Sequence, residues 1–186
     1  MNKTTSDRFK CAPMKITILS LLATFGIVAA TQAADVSVKL TEVHLCCKAC
    51  VTGANKAVAT VKGVTAVADE ESETVTLTAA DTATLQKAAD ALVAAGYFGK
   101  SRDASIKLVA DTGAKGAKVQ TLKVEGVHMC CGECASAVGR AIKAVPGATG
   151  HTAKKNAKSF EVTGDFNDKE VVEALHNAGL TGKVAK

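Results

Sequence analysis

With 186 residues and a formal charge of +5, the chain has room for one domain or two small ones, and it lacks the strongly basic surface that holds nucleic acid. Lys3, Arg8, Lys10 and Lys15 against Asp7 place three of those five charges in the first 33 residues, so the remainder is close to neutral. No Trp is present, and past the leader the aromatic residues are Tyr97, Phe98, Phe160 and Phe166, too few for the stacking platforms of single-strand binders.

The chain opens with Lys10 and Lys15, an apolar run from Ile16 to Ala30, and Thr31, Gln32 and Ala33 before Ala34. This order of basic, apolar and small residues is that of an export signal spanning 1–33, cleaved after Ala33. Met14 is an alternative start that would remove Cys11. The apolar run is short for a membrane span, so a secreted or periplasmic location is expected, with no stable span after cleavage.

After the leader, Val36, Val38 and Leu40 alternate with polar residues, the period of a half-buried strand. The segment HLCCKAC follows, from His44 to Cys50. Cys50, Ala54, Ala57, Val58 and Val61 then recur at helical spacing, with Gly63 as the expected stop. Val64–Ala68 and Thr74–Leu77 read as a hairpin, and Thr82–Ala95 as a second helix closed by Gly96. A last strand is expected at Ile106–Val109.

Residues 110–117 contain Asp111, Thr112, Gly113, Lys115 and Gly116 and read as a short flexible linker. The pattern then repeats with an offset of 84 residues: strand residues Leu122 and Val124, the segment HMCCGEC from His128 to Cys134, and helical Val138, Ala141, Ile142 and Val145 before Gly147. A hairpin over Ala148–Thr152 and Phe160–Thr163 follows, its exposed face carrying Lys154, Lys155 and Lys158. Next come a helix over Asp168–Ala178, with Asn167 and Glu170 as a capping box and Gly179 at its end, and a strand at Gly182–Val184. The expected fold is α+β: two tandem β-α-β-β-α-β units of ferredoxin-like type, at 34–109 and 118–186, each an antiparallel sheet with two helices on one face.

The two motifs hold every cysteine except Cys11. In each, C-x-x-C lies where a strand hands over to a helix, so Cys47 with Cys50, and Cys131 with Cys134, lie about one turn apart and can close on one ion. The helix N-terminus favours the thiolate that binds metal. Sulfur and imidazole select copper(I), mercury(II) or zinc, and two thiolates alone suit a two-coordinate soft ion, copper(I) or mercury(II). Cys46 and Cys130 are further candidates, although neighbours in extended chain point to opposite sides, which sets Cys46 against Cys47. His44 and His128 are candidates because they recur at one offset. His151 and His176 do not recur and read as structural, His176 by complementing a helix C-terminus.

A unit of this order with C-x-x-C after its first strand resembles the heavy-metal-associated domain of copper chaperones, metal-pumping ATPase tails and periplasmic mercury-binding proteins. That resemblance implies Cys47, Cys50, Cys131 and Cys134 as ligands. It also implies Met129 packed beneath its loop, with Leu45 in the same place in the first copy, and Tyr97 as the aromatic residue following the second helix, where the other copy has Leu180. The chain departs from the family at His44 and His128, at Cys46 and Cys130, and in a longer loop. Three sulfurs and one nitrogen would favour zinc or cadmium.

The expected function is that of an exported, non-catalytic metal-binding protein with two sites, a chaperone, scavenger or resistance factor that passes its ion to a transporter or acceptor protein. A thiol–disulfide oxidoreductase is the alternative from the same C-x-x-C, but Pro146 is the sole proline past the leader and follows the helix. A disulfide-stapled extracellular module is the other, against which stands the crowding of all six cysteines into two loops.

Overall fold

The computed structural model describes residues 34–185; the expected leader, with Met14 and Cys11, lies outside the described residues. Two four-stranded antiparallel sheets and four helices follow the expected order. In the first repeat β1 (Val36–Thr41) leads to α1 (Lys48–Val58), the hairpin β2 (Val64–Asp69) and β3 (Thr74–Ala79), α2 (Thr82–Ala94) and β4 (Lys100–Ser101). In the second, β5 (Lys118–Glu125) leads to α3 (Gly132–Lys143), β6 (Ala148–His151), β7 (Ser159–Asn167), α4 (Asp168–Asn177) and β8 (Lys183–Val184). The sheet orders β2-β3-β1-β4 and β6-β7-β5-β8 are the ferredoxin-like arrangement, with the motif-bearing strand central in each.

Alternation along the central strands sends Val38 and Leu40, and Leu122 and Val124, into the cores. There they meet Ala54 and Val58 of α1 with Leu85, Ala88, Ala89 and Leu92 of α2, and correspondingly Val138 and Ile142 of α3 with Val171 and Leu175 of α4. The first core is rich in alanine, with Ala54, Ala79, Ala88 and Ala89 all buried.

Several boundaries differ from the sequence reading. α1 and α3 begin two residues before the last motif cysteine, and end four or five residues short of Gly63 and Gly147. Those glycines instead take positive φ (+78° and +81°) in the turn toward the next strand. Ile106–Val109 is not a strand: the edge is β4, paired with β1 at Leu40–Ser101 and Thr41–Lys100. The Gln86 side chain satisfies the Lys107 backbone in both directions, at 2.7 and 2.9 Å, which ties this segment to α2. At α4, Asn167 caps the N–H of Lys169, so the cap is a single-sided one and not the expected box with Glu170.

The segment 110–117 is anchored where a flexible linker was expected. The buried Asp168 carboxylate accepts N–H bonds from Lys115 (2.9 Å), Gly116 (2.6 Å) and Ala117 (3.0 Å), and Thr112 O accepts from Val184 N–H. Burial raises the Asp168 pKa, but those N–H groups outweigh it and hold the carboxyl below its usual range.

Both α2 and α4 end in the same motif. Gly96 N–H bonds Val93 O and Tyr97 N–H bonds Leu92 O; Gly179 N–H bonds His176 O and Leu180 N–H bonds Leu175 O. The two ends then meet. Phe98 N–H donates to Gly179 O and Thr181 N–H to Gly96 O, both at 3.0 Å, making an antiparallel bridge centred on Tyr97 and Leu180. Gly96 packs on the backbone of Gly126 to His128, and Gly179 on that of Glu42 to His44. The repeats are thus related by an approximate twofold relation, and each reaches the other's motif loop.

Gly179 has φ +72°, and a Cβ there would lie 2.5 Å from both Glu42 O and His44 N; Gly126 has φ +77° with open space around it. Urea unfolding is therefore expected to show Gly126→Ala costing about 1–2 kcal/mol, the backbone term alone. Gly179→Ala is expected to cost more than about 3 kcal/mol, because it also forces the repeats apart. Equal losses would refute the packing role of Gly179.

Candidate metal centre

Each motif loop begins where a left-handed residue ends its central strand: Glu42 (φ +58°) after β1, and Gly126 (φ +77°) after β5. Val43, Leu45, Val127 and Met129 point into the cores and fix the loop, which places Met129 and Leu45 where the family resemblance expects them. His44, Cys46, Cys47, His128, Cys130 and Cys131 face the partner repeat. Cys47 and Cys131 are the N-caps of α1 and α3 in extended conformation, and neither side chain caps the helix.

The sequence reading places one site in each repeat. Instead, the loops lie face to face and all six cysteine sulfurs gather in one cluster. Within the loops, Sγ separations are 3.6 Å for Cys46–Cys50, 3.7 Å for Cys47–Cys50, 3.7 Å for Cys130–Cys134 and 3.6 Å for Cys131–Cys134. Between the loops they are as short: 3.5 Å for Cys46–Cys131, 3.6 Å for Cys46–Cys134, 3.4 Å for Cys50–Cys130 and 3.5 Å for Cys50–Cys134. All six are free thiols, and these distances far exceed the roughly 2.05 Å of a disulfide. Cys50 and Cys134 are fully buried at the centre; Cys46, Cys47, Cys130 and Cys131 are half-buried around them.

Three overlapping sets have their candidate ligand atoms all within 4.8 Å of one another: Cys50, His128, Cys130 and Cys134; His44, Cys46 and Cys134; and Cys46, Cys47 and Cys131. All three draw on both loops, as no single motif could, and the last contains the adjacent Cys46 and Cys47, which extended-chain geometry would separate. The Cys131 sulfur, supplied by the other repeat, lies within 4.8 Å of both in that set.

The histidines recur in sequence but differ in surroundings. Tyr97, the aromatic residue after α2, is buried and reaches under the cluster, where its hydroxyl donates to Cys50 O at 2.9 Å. Its oxygen therefore accepts from His128 Nε2–H at 3.1 Å, with the rings stacked at 4.4 Å between centroids. That bond assigns the proton to Nε2 and leaves Nδ1 with a free lone pair. Burial also lowers the His128 pKa and keeps the ring neutral. His44 has Leu180 in the equivalent place, so no phenol meets it: it is buried and its Nε2 has no hydrogen-bond partner among the described residues. An orphaned imidazole nitrogen beside thiols is a costly arrangement in a closed protein interior and an ordinary one for a ligand.

Of the other histidines, His151 accepts from Ala153 N–H through Nδ1, and His176 bonds Thr181 Oγ1 at 3.0 Å and stacks on Phe98 at 3.7 Å. Burial lowers the His176 pKa, so it joins the repeats as a neutral ring and does not act as the cation that complements a helix C-terminus. Tyr97 as a cluster residue was not legible from motif spacing; its position after Gly96 was the available cue.

Without a cation the cluster disfavours ionisation. The Cys50 thiol is pushed up first by its bond to Cys134 and then by burial, and Cys46 and Cys130 are raised mainly by burial, Cys130 to about 12. Cys134 is lowered because it accepts hydrogen bonds, from Cys50 first and then from His44, Cys131 and Cys46, which outweigh its burial. At the rim, the Cys50 backbone N–H leads the groups that lower Cys47 to about 7. Alkylation of the reduced, metal-free protein is expected to label Cys47 ahead of Cys46 and Cys130, with a midpoint near pH 7 and a rate falling about tenfold per unit below it. Peptide mass spectrometry showing Cys46 or Cys130 labelled first at pH 7 would contradict this electrostatic reading.

The sequence model of the family described as "Heavy-metal-associated domain" matches residues 121–181, which run from the central strand of the second repeat through its motif to the bridge at Leu180. Among solved structures, one described as "Crosstalk between Cu(I) and Zn(II) homeostasis" is 30% identical over 36% of this chain and all of that chain, at a TM-score of 0.32. Oxidized MerP from Ralstonia metallidurans CH34 is 29% identical over 38% of this chain and all of its own, at 0.33. The N-terminal soluble domains of Bacillus subtilis CopA are 16% identical over 82% of this chain and 95% of theirs, at 0.30. No curated protein matches. Residues 121–181 thus belong to the heavy-metal-associated domain family.

Proposed function

We propose that the protein is an exported, non-catalytic carrier or scavenger of soft metal ions, which it takes up as cargo at the cluster formed by both motif loops. The observation that carries this reading is the convergence of six free thiols at separations of 3.4–3.7 Å. Cys47, Cys50, Cys131 and Cys134 are its principal ligands, Cys46 and Cys130 add sulfur, and His44 and His128 add nitrogen. The orphaned His44 Nε2 and the free lone pair on His128 Nδ1 fit that donor set.

The spacing bears on coordination number. A linear two-thiolate ion with bonds of about 2.3 Å would hold its sulfurs about 4.6 Å apart, whereas a trigonal or tetrahedral set needs roughly 3.8–4.0 Å. The observed separations lie nearer the higher-coordinate sets, so they weigh against the two-coordinate geometry that C-x-x-C alone suggests. Sulfur-rich trigonal sites suit copper(I), and mixed sulfur–nitrogen tetrahedra suit zinc; the sulfur majority favours copper(I).

Export rests on the sequence of residues 1–33, and among the described residues no helix is long and apolar enough to cross a membrane. Delivery to a transporter or acceptor protein would use the half-buried Cys47 and Cys131, the sulfurs reachable for ligand exchange at the N-caps of α1 and α3.

Anaerobic competition titration of the reduced protein is expected to show copper(I) bound more tightly than zinc. Tighter zinc binding would overturn the choice of ion, and no binding of either would overturn the function. N-terminal sequencing of protein recovered outside the cytoplasm is expected to begin at Ala34; retention of the full chain inside would overturn export.

A further inference from the structure

Resting on that metal-binding reading, we propose that the two loops do not form two independent sites but one shared multinuclear metal–thiolate centre, in which Cys50 and Cys134 bridge ions and which fills as a unit. The argument begins from connectivity. Cys50 Sγ lies 3.4–3.7 Å from Cys46, Cys47, Cys130 and Cys134, and Cys134 Sγ lies 3.5–3.7 Å from Cys46, Cys50, Cys130 and Cys131. An ion held by Cys47 and Cys50 therefore has sulfurs of the second repeat at its side, and an ion held by Cys131 and Cys134 has those of the first. Two separate sites would need the central pair to belong to one repeat each, yet these side chains touch each other at 3.5 Å with no solvent exposure.

Charge points the same way. Each thiol that ligates gives its proton to solvent and becomes a thiolate, so six thiolates around one copper(I) ion would leave a net charge of about −5 in a largely buried site, a prohibitive desolvation cost. Several cations among bridging thiolates reduce that excess, and a thiolate sulfur has lone pairs enough to bind more than one of them. The overlapping ligand sets provide the places: one around Cys50, Cys130, Cys134 and His128, one around Cys46, Cys134 and His44, and one around Cys46, Cys47 and Cys131. Cys46 and Cys134 each serve two sets, and Cys50 borders all three by its contacts. Of the two imidazoles, His128 is oriented by Tyr97, and the Nε2 of His44 has no hydrogen-bond partner among the described residues. The bridge between Gly96–Phe98 and Gly179–Thr181 holds the halves together before any ion arrives.

The test uses the reduced full-length chain, with copper(I) alone as the probe, followed by native mass spectrometry and X-ray absorption. Expected are a passage from the metal-free chain to a form with at least two ions, with little single-ion intermediate, and metal–metal scattering in the loaded protein. Cys50→Ser is expected to abolish the multi-ion form and to weaken the remaining binding by at least tenfold, although the second motif is untouched. One-ion and two-ion forms in statistical proportion without metal–metal scattering, with Cys50→Ser keeping one ion at unchanged affinity, would overturn the shared centre while leaving metal binding intact. Absence of any bound copper(I) would overturn both. Since Cys50 is buried, circular dichroism checks the fold of the variant, and should it fail to fold, the scattering and cooperativity of the unaltered protein decide the matter.

Discussion

Two backbone hydrogen bonds, Phe98 N–H to Gly179 O and Thr181 N–H to Gly96 O, hold the chain ends of α2 and α4 against each other, and the cysteine cluster depends on that register. The approach is possible because both helices close on a glycine in left-handed conformation. The missing Cβ lets Gly96 lie on the loop before Met129 and Gly179 on the loop before Leu45. A side chain at either position would hold the repeats apart, and each motif would then face solvent with its own C-x-x-C. The same contact carries Tyr97 beneath Cys50 and brings His176 onto Phe98, so the joint is built from residues that also set the surroundings of the thiols.

From this follows a tension that defines the centre. Packing brings six thiols within contact of one another in a site whose middle is closed to water, where adjacent thiolates repel and desolvation penalises each charge. The metal-free protein answers by keeping most of the cluster protonated, with thiolate character favoured at Cys47 on the rim. A cation removes the repulsion and releases the protons. The geometry is thus preorganised for a soft cation, with Cys47 and Cys131 half-buried at the two helix N-termini.

The repeats are near copies in backbone and unequal in chemistry. Tyr97 stands opposite Leu180 across the joint, and that one difference gives His128 a hydroxyl partner and leaves His44 without one. The motif occurs twice, and the different residue after the helix-ending glycine is why its two histidines need not behave alike.

Residue order alone determined the two β-α-β-β-α-β repeats, because strand alternation, helical spacing and helix-ending glycines are local patterns. It also marked the cysteines and histidines as candidate ligands, since thiol and imidazole chemistry is carried by residue type and recurrence. It misplaced the last strand of the first repeat, where Gln86 satisfies the Lys107 backbone from a helix about twenty residues away, and it read 110–117 as a short flexible linker, where Asp168 gathers three of its N–H groups. Such long-range hydrogen bonds leave no periodic trace. The joining of the loops was beyond it for the same reason: nothing in H-x-C-C-x-x-C specifies whether two copies face solvent or each other. That was decided by tertiary structure, through the close backbone approach at Gly96 and Gly179, which turned two motifs 84 residues apart into one cluster of sulfur.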